Sequence, residues 1–111
     1  MVQLSPSLDQ TFGALSDPTR REILLRLGRG EASLTALAGG FDLTLTGLKK
    51  HVSVLEGAGL VETEKVGRVR RCRLRPRGLD AVTDWIALYR HQLEDRLDRL
   101  DAFLRRTEGA S

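Results

Sequence analysis

The sequence predicts a mainly α domain of about five helices with one small two-stranded β-hairpin. Three observations carry this. Apolar residues recur at helical three- and four-residue spacing over most of the chain. A helix-forming run from Thr44 to Leu55 stops at glycine, and an arginine-rich stretch with strand-like character follows around Gly67. With 111 residues and 41% hydrophobic content, the chain suits one compact domain over residues 1–111 and leaves little room for a second.

The first helix runs from Leu8 to Leu15, with Leu8, Phe12 and Leu15 on one face. Ser16-Asp17-Pro18-Thr19 breaks and restarts the chain: Asp17 caps orphan amides, and Pro18 suits a first helical position that needs no N–H. The second helix passes through Ile23, Leu24 and Leu27 and ends at Gly28 and Gly30. Ser33 caps a short third helix, Leu34 to Ala38, and Gly39-Gly40-Phe41-Asp42 is read as the turn.

Thr44 or Thr46 caps the fourth helix, on which Leu48, Val52 and Leu55 form a core face. Thr46, Lys49, Lys50 and Ser53 then fall on the opposite side, short, polar and cationic, as a helix lying in a major groove requires. Gly47 has two readings, close approach to a phosphate backbone or a weak spot in the first turn, and the sequence leaves both open. Gly59 ends the helix in a left-handed conformation. Strands Val61–Lys65 and Val69–Leu74 follow, joined through Val66-Gly67-Arg68. If Cys72 and Leu74 face the helices, Arg71 and Arg73 point outward and Arg70 lies with the inward set near the tip. A helix, a turn, a second helix and an arginine-rich wing point to double-stranded DNA, with Thr44, Thr46, Gly47, Lys49, Lys50, Ser53, Arg68, Arg70 and Arg71 as the candidate contacts.

Charge supports that assignment. Residues 65–77 hold Lys65, Arg68, Arg70, Arg71, Arg73, Arg75 and Arg77 with no acid, on a chain whose net charge is only +3. A local cationic patch on an otherwise slightly acidic chain is the footprint of a surface that meets phosphates. No apolar run approaches the roughly 18 residues of a membrane span, and the N-terminal residues lack signal-peptide character, so a cytoplasmic protein is expected. No nucleophile–base grouping, paired-acid site or phosphate loop emerges, and an enzyme is not expected.

From Leu79 to about Arg106 the apolar residues Leu79, Val82, Ile86, Tyr89, Leu93, Leu97, Leu100 and Leu104 form a long seam, with Trp85 beside Ile86. A helix of that length exceeds what a small domain covers by itself, so part of the seam is expected to pack against a second copy. Leu8, Phe12, Val82, Trp85, Ile86, Tyr89, Leu93, Leu97 and Leu100 are the candidate dimer contacts.

Ala14-Leu15-Ser16-Asp17-Pro18-Thr19-Arg20-Arg21-Glu22-Ile23-Leu24 resembles the second-helix signature of ArsR/SmtB-type winged helix-turn-helix repressors, and Leu43 to Val61 resembles their recognition helix. The likeness extends from about Leu8 to Phe103 in the family's element order. It implies a homodimeric repressor on a near-palindromic operator, with the first and last helices at the dimer contact. The family's metal-sensing motifs are missing. Where its thiolate sensors carry cysteines, this chain has Glu31-Ala32-Ser33-Leu34-Thr35, and its last helix carries only His91, beside Glu94 and Asp95. No metal or other cofactor is expected, and the inducer is left unknown.

Cys72, the single cysteine, excludes an internal disulfide. Its neighbours Arg71 and Arg73 raise the alternative of a lowered thiol pKa and a redox-responsive repressor, against the simpler role of a small core residue under the wing. His51, at the edge of the recognition face, is read as a structural or phosphate-contacting residue. The remaining alternative is a winged-helix module that binds protein rather than DNA.

Overall fold

A computed structural model describes residues 6–109, which divide into one unit ending at Ala81 and a second starting at Val82. The first unit contains α1 (Pro6–Leu15), α2 (Pro18–Leu27), β1 (Ala32–Ser33), α3 (Leu34–Gly40), α4 (Leu45–Gly57), β2 (Val61–Val66) and β3 (Val69–Leu74). Helix α5 (Asp80–Gly109) makes up the second unit, its first turn lying at the boundary.

Local chemistry fixes the helix boundaries. The Asp17 carboxylate accepts from the Thr19 and Arg20 amides at 2.7 and 3.2 Å, with Pro18 opening α2. Partial desolvation raises the Asp17 pKa, but the two amide bonds and the Arg20 charge outweigh it and leave the carboxyl below its ordinary range. Ser33 Oγ accepts from Ala36 N at 3.0 Å and Thr44 Oγ1 from Gly47 N at 3.1 Å, so Thr44, not Thr46, caps α4.

Helices α3 and α4 end alike. After α4, Gly59 takes φ 76° while Leu60 N donates to Leu55 O at 3.0 Å and Gly59 N to Glu56 O at 3.0 Å, the paired bonds of a Schellman motif. After α3, Asp42 takes the left-handed place with φ 54°, and Leu43 N donates to Ala38 O at 2.9 Å. Gly39 and Gly40, expected in the turn, therefore belong to the last turn of α3, and the reversal falls on Phe41 and Asp42.

The hairpin is one strand richer than expected. β1 pairs antiparallel with β3 through Ala32↔Cys72 and Ser33↔Arg71, giving the order β1-β3-β2. Val66 lies in β2, opposite Val69, so the connection is the two residues Gly67-Arg68, with Gly67 at φ 65° as a type II′ turn prefers. The core of this unit joins Ile23 and Leu27 of α2, Leu34 and Leu37 of α3, Leu48, Val52 and Leu55 of α4, and Val61 and Cys72 of the sheet. All of these are at most 5% exposed.

Helix α5 has 30 residues, a length of about 45 Å at 1.5 Å per residue. Most of its apolar side chains face solvent. Among the described residues no helix is long and apolar enough to cross a membrane.

Candidate nucleic-acid interface

The site begins with how α4 is seated. Leu48, Val52 and Leu55 are 0–3% exposed, which turns Thr46, Lys49, Lys50 and Ser53 outward. Arg20 steadies this orientation from α2. Its guanidinium donates to Ala14 O at 2.7 Å and Gly13 O at 3.1 Å, and lies 3.4 Å from His51 Nδ1 on α4. His51 thus has a structural neighbour on the side away from Lys49. Gly47 is explained in part by the cap, because a Cβ there would stand 3.2 Å from Thr44 Oγ1.

The wing joins α4 through Glu56. Its carboxylate accepts from Thr63 N at 3.2 Å and Thr63 Oγ1 at 3.0 Å, and Arg70 Nη2 donates to Thr63 Oγ1 at 3.1 Å. Lys49, Ser53, Glu56, Thr63 and Arg70 consequently line one concavity of about 260 Å³, over Leu34 and Val52. Recognition helix and wing form a continuous surface here.

Strand register divides the wing's cations. Lys65↔Arg70, Thr63↔Cys72 and Val61↔Leu74 are opposite pairs on the face that carries this concavity. Alternation sends Glu62, Glu64, Arg71 and Arg73 to the other face, where they neutralise one another. Arg73 reaches Glu62 at 2.7 Å and Glu64 at 3.1 Å, and Arg71 reaches Glu31 at 3.3 Å. The hydrogen bonds that Arg73 donates to Glu62 and Glu64 hold it yet more firmly in its charged form. Arg70 shares the inward face with Cys72 by register, as expected, and near the tip it escapes to solvent. Among the described residues Lys49, Lys50, Lys65, Arg68 and Arg70 make no ion pair. Among the cationic residues of the nine sequence candidates Arg71 is the one that is ion-paired, and Lys65, absent from the nine, shares the unpaired set. Its place opposite Arg70 was the signal that could have found it.

Cys72 is fully buried, and desolvation, with Glu56 as a smaller cause, pushes its thiol up to about 11. The flanking arginines face away from it and pair with glutamates, so they do not supply the thiolate stabilisation that a redox role needs. The packing role is the one this geometry supports.

On α5, Trp85, Ile86, Tyr89, Leu93, Leu97 and Leu100 are 42–55% exposed, and the Trp85 and Tyr89 rings stack at 5.7 Å. Val82 differs from them, at 6% exposed. On α1, Phe12 is 41% exposed and Leu8 half-buried. His91 lies 3.4 Å from Asp95, and no group of three potential metal ligands occurs among the described residues.

A helix-turn-helix domain model matches residues 15–64. The HTH-type transcriptional regulator Rv2034 of Mycobacterium tuberculosis is 36% identical over 76 residues, 68% of this chain and 71% of that protein. The crystal structure of an ArsR family transcriptional regulator superposes with a TM-score of 0.77 at 41% identity, covering 85% of this chain and 97% of its own. A solution structure from Mycobacterium bovis, described as a homodimeric winged helix-turn-helix DNA-binding domain, has a TM-score of 0.64 at 21% identity, with coverage of 83% and 92%. That last likeness concerns the fold alone.

Proposed function

The chain belongs to the ArsR family of winged helix-turn-helix transcriptional regulators, and from that premise we propose that it is a homodimeric, sequence-specific repressor that occludes a promoter. One observation carries the DNA reading. The exposed face of α4 and the uncompensated cations Lys65 and Arg70 line the same side of the first unit, while the wing's acids occupy the opposite face. Such a surface has a helix for the major groove and a cationic hairpin for the adjoining backbone.

In this account Thr46, Lys49, Lys50 and Ser53 meet base edges or nearby phosphates. Arg68, Arg70 and Lys65 meet the backbone, Arg73 stiffens the hairpin through Glu62 and Glu64, and Arg71 ties it to Glu31. Thr44 and Gly47 set the start of α4 against the DNA. The exposed apolar stripe of α5, including Trp85, Ile86, Tyr89, Leu93, Leu97 and Leu100, packs on a second copy, which removes those side chains from water. Two recognition helices then meet half-sites roughly 34 to 36 Å apart on a near-palindromic operator. A dimer seated across a promoter excludes RNA polymerase. Its place of action is the cytoplasm, where the DNA is.

Fluorescence anisotropy against DNA from upstream of its own gene, challenged with unrelated competitor, tests the proposal. Tight binding that survives competitor is expected. Weak binding that competitor removes completely would favour the protein-binding alternative.

A further inference from the structure

The exposed face of α4 contains one side chain that its polar chemistry does not explain. Leu45, the first residue of the helix, is 40% exposed, whereas Leu43, two residues earlier, packs against the core. Helical periodicity sets Leu45 one turn ahead of Lys49 and along the same stripe as Ser53 and Glu56, the α4 residues that line the concavity shared with the wing. The cap residue Thr44 accepts from Gly47 N through its hydroxyl, and the two residues that follow it, Leu45 and Thr46, are both exposed at the N-terminal end of α4. Val54, the other large apolar residue exposed on α4, lies nine residues further on, in the C-terminal half of the helix.

Resting on the DNA reading above, we propose that Leu45 determines sequence specificity by packing on the C5 methyl group of a thymine in each half-site. Residues at the N-terminal end of a recognition helix are those that reach base edges. A leucine side chain has no donor or acceptor to offer them, and the one apolar group that a base pair presents in the major groove is the thymine methyl. Contact there removes the leucine and the methyl from water together, which gives the exposed residue a reason that core packing does not.

The test starts from a randomised duplex library, from which the purified full-length protein selects its preferred operator. Each thymine is then replaced in turn by deoxyuridine, which removes the C5 methyl and leaves the base-pairing edge intact. Wild-type protein is expected to lose about three- to fivefold in affinity at one symmetric position per half-site, the scale of one methyl group returned to water. Leu45→Ala protein, checked for an unchanged melting profile, is expected to bind the unmodified operator more weakly and to show no further loss from deoxyuridine at that position. Leu45→Gln is expected to shift the selected base there from thymine to adenine, whose N6 and N7 suit a side-chain amide.

Wild-type binding indifferent to every deoxyuridine would overturn the proposal by itself, with no variant needed. So would a full deoxyuridine penalty retained by Leu45→Ala. A library from which no sequence is enriched would instead overturn the DNA reading and the Leu45 contact with it.

Discussion

At Gly78 a side chain has no room: a Cβ would come within 2.8 Å of Gly59 O and 3.0 Å of Leu60 Cα, both backbone atoms. The sequence shows Pro76 and Gly78 only as an interruption after the strand, because the close approach is to a segment nearly 20 residues away. Gly78→Ala is expected to destabilise the fold by about 1 to 3 kcal/mol, the usual range for overpacking, measured by urea unfolding. A midpoint equal to wild type would show that the turn moves aside freely. Cys72 gives a second prediction. Its folded pKa of about 11 exceeds the ordinary 9.0, so the neutral thiol's contribution to stability is complete below about pH 9 and is lost as pH rises toward 11. The stability difference between wild type and Cys72→Ala should therefore be constant at neutral pH and shrink above pH 9. Iodoacetamide at pH 8 should label Cys72 only in denaturant; rapid labelling of native protein would revive the thiol switch. The caps at Asp17, Ser33 and Thr44 were legible because a cap reaches only two or three residues ahead. The Arg20 anchor was not, since its contact with His51 spans 31 residues.

Among elements, the hairpin shows both what alternation reveals and where it stops. The sequence places both strands and the glycine turn, since strand propensity and turn chemistry are local. It does not reveal β1, two residues long and paired with a strand some 40 residues later, which carries no periodicity of its own. It also treats all the wing arginines alike. Register separates them: Glu62 faces Arg73 across the ladder and Glu64 faces Arg71, while Lys65 faces Arg70. That division has a measurable consequence in the salt dependence of DNA binding. Arg70→Gln should lower the slope of log K against log salt by about one, the loss of one phosphate contact, and Arg71→Gln should leave it unchanged. Equal losses for the two variants would show that both faces of the wing meet DNA.

For the molecule as a whole, the decisive feature is α5 with its exposed apolar residues. Its seam was legible because three- and four-residue spacing persists for seven intervals from Leu79 to Leu104. Periodicity marks a face without distinguishing a residue already buried from one left open. Val82 and Ile86 share the seam, yet one is 6% and the other 42% exposed. Leu93→Asp combined with Leu97→Asp should convert a dimer to monomer in sedimentation equilibrium, since each carboxylate would need to be desolvated at the interface. A dimer that survives both changes would place the interface elsewhere. DNA affinity should fall in parallel, because each protomer then holds a single half-site. Two copies seated together on a specific sequence would be seen in sedimentation velocity of a fluorescently labelled upstream duplex with the protein, in excess unrelated DNA. One complex containing two protomers per duplex that persists in the competitor is expected; a one-protomer complex, or free duplex once competitor is added, would overturn the dimeric repressor.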